Sequence, residues 1–193
     1  MAQLSPTKVA VNHSENEWVA SARLGNREAF AKLAGLHGDA LFRWACHLAP
    51  DVNTAEDVVQ ETLLKAMTRL HQFQPGTNFR AWLFRIAFNT FANLMRSRKK
   101  REQLHEDVPH KQPGLLEKLQ KEESLRNLAV AIQNLPDDFR AALMLRVEGE
   151  LSFKEVAEIV GTTEETARWR VFKARKLLLE RVPQEAPGGD SPS

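Results

Sequence analysis

LSFKEVAEIVGTTEETARWRVFKARKLL, residues 151–178, decides the fold. Ser152 stands ahead of an apolar-periodic stretch and Glu155 follows at the spacing of a capping box, which marks a helix start. Ala157 leaves room for a close helix crossing, Gly161 supplies a sharp turn, and Thr162 or Thr163 caps the next helix. A small residue, a glycine turn and a second helix together make a helix-turn-helix. An ordinary α-hairpin in a bundle shares that much of the pattern.

The second helix separates the two readings. At 100° per residue, Ala167, Val171, Ala174 and Leu178 form one stripe that faces a core. Glu165, Trp169, Phe172, Lys173 and Lys176 occupy the other side, with Arg168 at its edge. A merely solvated face gives no reason to expose Trp and Phe together, unless Trp169 packs under a neighbouring helix. A surface that reads base edges does: cations meet guanines and phosphates, and apolar groups meet thymine methyls. Major-groove DNA binding is the reading this face favours.

Outward from this segment, helix-period patterns run almost throughout, with no Asn-Gly or Asp-Gly hairpin turn. Helices are expected over 17–24, 27–49, 54–70, 79–102, 116–133, 137–147, 152–160 and 164–181. The polar stretch 102–113, with Pro109 and Pro113, reads as a linker, and PQEAPGGDSPS at 183–193 is too poor in apolar residues to pack. The expected architecture is all-α: two small helical domains joined by a flexible linker, the second carrying the helix-turn-helix. The boundaries are a flexible N-terminus at 1–16, a first domain at 17–102, a linker at 103–115, a second domain at 116–182 and a disordered tail at 183–193.

The chain has 193 residues, with 27 Lys+Arg against 25 Asp+Glu and a single cysteine, Cys46. One cysteine excludes an internal disulfide framework and a cysteine-cluster metal site. MAQLSPTKVAVNHSENE at the start carries no apolar leader core, and no stretch approaches the roughly 18 apolar residues of a membrane helix. A cytoplasmic protein without membrane insertion is expected. The near-even charge hides two surfaces of opposite sign: a basic run, Arg96 to Arg101, and an acidic stretch, Asp51 to Glu61, without Lys or Arg.

Both charged regions belong to the first domain. FRAWLFRIAFNTFANLMRSRKKR, residues 79–101, is apolar around most of its circumference, through Leu83, Phe84, Ala87, Phe88, Phe91, Leu94 and Met95. One narrow stripe interrupts it: Trp82, Arg85, Asn89, Asn93, Arg96 and Lys100. Amides and cations aligned on such a helix fit nucleic acid, with Asn on base edges, Arg and Lys on phosphates, and Trp stacked on an unpaired base. The stripe also fits a surface helix with a single wet face. In the preceding loop, Phe73 either anchors the loop in the core or walls a pocket for an extruded base. On the helix before that, Val59, Leu63, Ala66 and Leu70 are expected inside. Asp57, Gln60 and Glu61 gather opposite them around an exposed Leu64, an apolar centre with a polar rim.

Three segments, AEDVVQETLLKA (55–66), FRAWLFRIAFN (79–89) and LPDDFRAALMLRVEGELSFKEVAEIVGTTEETARWRVFKARKLL (135–178), resemble the extracytoplasmic-function sigma factors of bacterial RNA polymerase. They stand in family order and cover most of 29–181. The resemblance implies region 2 at 17–102, which binds core polymerase and the −10 element, and region 4 at 116–182, which reads the −35 element. It implies that Asp57, Gln60 and Glu61, around Leu64, contact the clamp helices of the β′ subunit, with a further contact to the β subunit. It places Asn89, Asn93 and Phe73 at the −10 strand, and Arg168, Phe172 and Lys173 at the −35 element. Promoter DNA and an anti-sigma factor are the other implied partners, with no cofactor, no metal and no catalytic residue. There are departures: Trp169 stands where many relatives carry a small residue, Glu165 replaces a glycine, and Ala167 replaces a valine.

Two rival classes follow from the residues alone. A stand-alone helix-turn-helix regulator would bind duplex operator DNA, usually as a dimer, but leaves the first domain without a role. An enzyme would have to use His37, Cys46 and His47, which share one amphipathic helix without a paired carboxylate or a glycine-rich loop. His105 and His110 fall in the linker.

Overall fold

Asn26 and Asp51 start the two helices that frame the first domain. Each has extended backbone and accepts a hydrogen bond from the amide three residues ahead, Ala29 N at 3.1 Å and Thr54 N at 2.7 Å. Such caps each contribute about 1 kcal/mol, because they satisfy amides the helix cannot pair internally. The computed structural model describes residues 6–104 and 123–181, with side chains described for 14–101 and 127–180. In chain order the helices are α1 (Pro6–Arg23), α2 (Arg27–Leu48), α3 (Val52–Arg69), α4 (Phe79–Leu104), α5 (Glu123–Gln133), α6 (Asp137–Val147), α7 (Phe153–Val160) and α8 (Glu164–Arg181), with a short 3-10 turn at Leu70–Gln72. Among the described residues there is no strand.

The expected helix starting at 17 begins instead at Pro6, so residues 6–16 are helical rather than a flexible N-terminus. Proline is well suited to a first helical turn, where its missing N–H costs nothing. Glu15 then lies within α1 and its carboxylate meets Nε2 of buried His37 at 2.8 Å, while Val19 enters the core. The expected helix over 116–133 is described only from Glu123, and α4 continues to Leu104. The rest of the linker, with His105 and His110, and the tail 183–193 lie outside the described residues.

Trp44 on α2 is fully buried and sits edge-on to Phe84 and Phe91 of α4, with ring centroids 5.9 and 6.2 Å apart. These rings lock α2 against α4. A second apolar cluster, with Val19, Leu33, Leu70, Phe73, Phe79 and Leu83, fixes α1 and the loop before α4. On α3 the buried stripe runs through Ala55, Val58, Thr62 and Ala66, with Val59 and Leu63 only half-buried. The expected stripe is therefore rotated by about one position. Thr62 is the reason: its hydroxyl donates to the Val58 carbonyl at 2.6 Å, so a polar side chain is buried without an unpaired group.

The main apolar cluster does not stop at the domain boundary. It runs from Leu41, Trp44 and Leu48 on α2 to Leu143, Met144 and Leu145 on α6 and onward to Val156, Ala167 and Val171. Contacts of α2 with α5 and α6, and of α4 with α7, seat the second domain directly on the first.

Candidate interfaces for polymerase and DNA

The helix-turn-helix forms as its sequence dictates. Ser152 Oγ accepts from the Glu155 amide at 3.2 Å, and the Glu155 carboxylate accepts in return from the Ser152 amide at 2.7 Å. Burial tends to raise the Glu155 carboxyl, but the hydrogen bonds from Ser152 and Asn78 and the charge of Arg146 outweigh it and hold the group below its usual range. Gly161 closes α7 in the left-handed region at φ 72°, where a side chain is strained. Thr163 caps α8, accepting from the Thr166 amide at 3.1 Å.

On α8 the buried line is Ala167, Val171 and Ala174, with Leu178 half-buried. Arg168, Trp169, Phe172 and Lys176 are exposed and Lys173 is half-buried, so the five candidate −35 residues stay together on the outer side. Trp169 is 53% exposed, with its ring edge-on to Phe139 at 5.4 Å. It is propped on α6 rather than buried beneath it. Arg168 pairs with Glu164 at 2.9 Å and lies 4.9 Å from the Phe153 ring centroid.

In the first domain Asp57, Gln60, Glu61 and Leu64 are exposed along α3, and Leu64 is 49% exposed. They form one wall of a groove of about 520 Å³ whose other wall is Thr90, Asn93, Leu94 and Ser97 of α4. The acidic patch and the polar stripe therefore meet in this groove at Asn93 alone. Lys65 spans it, 3.0 Å from Glu61 and donating to Thr90 Oγ1 at 3.2 Å. Lys65 and the buried Thr90 escape a reading built on stripes, although the Glu61–Lys65 spacing is a visible helix-pair signal. At the start of the acidic stretch, Asp51 is drawn below its usual carboxylate range: partial burial opposes this, and Thr54 and Arg98 prevail.

Along α4, Arg85, Asn89, Asn93, Arg96 and Lys100 are exposed in line, as the periodicity predicts, and Trp82 is half-buried at their head. Phe73 is different. It is 3% exposed, with its ring edge-on to both Phe79 and Trp82 at 5.5 Å. The turn at Pro75-Gly76, with Gly76 at φ 82°, folds the loop back and drives this ring inward. Of its two readings the anchor is the one seen, and Phe73 does not wall an open pocket. His37, Cys46 and His47 are buried or half-buried, and among the described residues no group of three or more His, Cys, Asp or Glu could hold a metal. No helix among them is long and apolar enough to cross a membrane.

Residues 33–101 match the family model for Sigma-70 region 2, and residues 125–178 the one for Sigma-70, region 4. The ECF RNA polymerase sigma factor EcfG of Rhodopseudomonas palustris is 35% identical over 72% of this chain and 77% of its own length. This chain is an extracytoplasmic-function sigma factor. The SigE sigma factor of Mycolicibacterium smegmatis is 34% identical over 80% of the chain, which spans 62% of that relative's length. Among solved structures, the sigma factor RpoE in complex with the anti-sigma factor NepR from Bartonella quintana superposes with a TM-score of 0.71. That match has 32% identity and covers 78% of this chain and 94% of RpoE. The region 2 match gives the first domain of this sigma factor a place that a stand-alone operator-binding regulator would not supply, and the regulator reading falls with it.

Proposed function

We propose that this chain is a dissociable promoter-specificity subunit of RNA polymerase, acting in the cytoplasm and without catalytic chemistry of its own. The observation that carries the reading is the groove between α3 and α4, where an acidic wall with an exposed leucine faces Asn93 of the α4 stripe. Asp57, Gln60 and Glu61 dock on the β′ clamp helices around Leu64, and the second domain adds a contact to the β subunit. So docked, α8 enters the −35 major groove with Arg168, Trp169, Phe172, Lys173 and Lys176. Trp82, Arg85, Asn89, Asn93, Arg96 and Lys100 take the non-template −10 strand as it melts, and Phe73 holds Trp82 in place from behind. Each stacked base contributes about 1–3 kcal/mol toward keeping the bubble open. An anti-sigma protein, like the one bound to RpoE, is the expected restraint on this activity.

Reconstituted transcription tests the reading: purified chain plus core polymerase on fragmented bacterial genomic DNA, with start sites mapped by sequencing. Discrete starts that share −35 and −10 motifs and are absent with core alone are expected. Tight binding of the chain alone to duplex DNA, with no starts, would overturn it.

A further inference from the structure

The outer face of α8 is divided by chemistry. Glu165 begins it, and Lys173 and Lys176 end it. Between the two charges stand exposed rings, Trp169 at 53% and Phe172 at 66%. Three residues apart, they are neighbours on one side of the helix. Phe139 of α6, itself packed against the main apolar cluster, braces the indole edge-on at 5.4 Å. Arg168 is held to the side by Glu164 at 2.9 Å and by the ring of Phe153, 4.9 Å from its centroid. The middle of the face therefore belongs to the two rings.

We propose that Trp169 and Phe172 are the specificity-determining pair of α8, each taking the C5 methyl of a thymine on neighbouring base pairs of the −35 duplex. This rests on reading α8 as the −35 helix. A ring half or more in water gains by covering apolar surface, and in the major groove the apolar group that a base edge offers is the thymine methyl. Glu165, one turn before Trp169, repels phosphate, so the ring end of α8 suits base edges and the lysine end suits the backbone. Three helical residues advance about 4.5 Å and stacked base pairs lie about 3.4 Å apart, so the two rings meet adjacent pairs. The Phe139 brace keeps the indole from turning away, and an aromatic side chain has only two torsions to fix, so little order is lost on binding. The pair selects the methyl and not the hydrogen-bonding pattern, because uracil presents the same carbonyl without it.

The test uses the full chain with core polymerase on a promoter recovered by start-site mapping. Each thymine of the −35 element, on either strand, is replaced singly by deoxyuridine, and binding is measured by competition. Uracil at two adjacent pairs should weaken binding about three- to fivefold each, the scale of one apolar carbon removed from a contact, with other positions unaffected. Trp169→Ala should bind thymine and uracil alike at one of these positions and Phe172→Ala at the other, with helicity and core-polymerase binding unchanged. A shared −35 motif without adjacent A·T pairs, or one blind to uracil, overturns the proposal and leaves the −35 reading standing. A thymine-over-uracil ratio that survives both substitutions overturns it too. So does weaker binding of Trp169→Ala to core polymerase without DNA, which would make the indole a protein contact. Starts with no shared −35 motif overturn the −35 reading itself, and the proposal with it.

Discussion

The guanidinium of Arg168 rests over the ring of Phe153, 4.9 Å from its centroid, so the first helix of the helix-turn-helix orients a side chain of the second. Glu164 holds the same guanidinium from within α8 at 2.9 Å. Arginine otherwise loses much rotamer freedom when it binds, and a stacked, paired fork has lost part of it already. Phe153→Leu should therefore weaken −35 duplex binding by about 0.5–1 kcal/mol, the size of an exposed cation–π contact, while α7 stays helical. Fluorescence anisotropy on −35 duplexes, with and without polymerase, measures it. Unchanged affinity would mean that Phe153 is only a packing residue.

Charge reversal on the α3 wall separates docking from folding. Asp57→Lys and Glu61→Lys alter exposed carboxylates whose loss costs the fold little; the Glu61–Lys65 pair is an i,i+4 surface bridge worth about 0.3–0.5 kcal/mol. Both variants should retain helicity and lose co-purification with core polymerase. Retained promoter-specific transcription by either one, with normal helicity, contradicts the docking face.

How much of this was legible in sequence depended on whether a single helix held the whole pattern. The α7–α8 unit needs only its own capping box, glycine turn and stripes, and the structure reproduces them residue by residue. The α4 stripe emerges equally cleanly because its buried arc is so apolar. The inward rotation of α3 was not readable: Thr62 counts as polar until its hydrogen bond to the Val58 carbonyl is seen. Phe73 had two readings that differ only in which way a turn folds. The partners of Arg85 and Asn78 lie in another domain, at sequence separations of 73 and 77 residues, and no local periodicity carries that information.

Gly149 is a packing constraint next to the helix-turn-helix. Its amide donates to the Met144 carbonyl at 3.3 Å as α6 ends, and a Cβ there would strike the Leu145 carbonyl oxygen and crowd Leu151. The obstacle is backbone, so it does not yield cheaply. Gly149→Ala should destabilise the fold by about 1–3 kcal/mol. Gly161→Ala has open space around it and only its φ of 72° to contend with, which costs about 1 kcal/mol. Thermal unfolding of the two variants should therefore rank Gly149→Ala as the more damaging, and the reverse order would point to strain elsewhere in the α6–α7 turn.

His47 links stability to pH at the domain contact. Burial lowers its pKa; Glu148, 3.9 Å away, pulls it upward and Arg43 and Arg140 push it down, so the net shift is downward. The folded chain then takes up a proton less readily than the unfolded chain, whose imidazole titrates near 6.5. Its contribution is fully present above that unfolded value and is lost as pH falls from there through the lower folded pKa. Denaturant midpoints should drop between about pH 7 and pH 5. His47→Gln, which cannot titrate, should flatten that part of the profile even if its stability at pH 7 is lower. The Asp51 and Glu155 carboxyls, held low in the folded state, lose their contributions only further into acid, so the two windows separate. A parent profile flat down to pH 5 would contradict the buried, neutral imidazole.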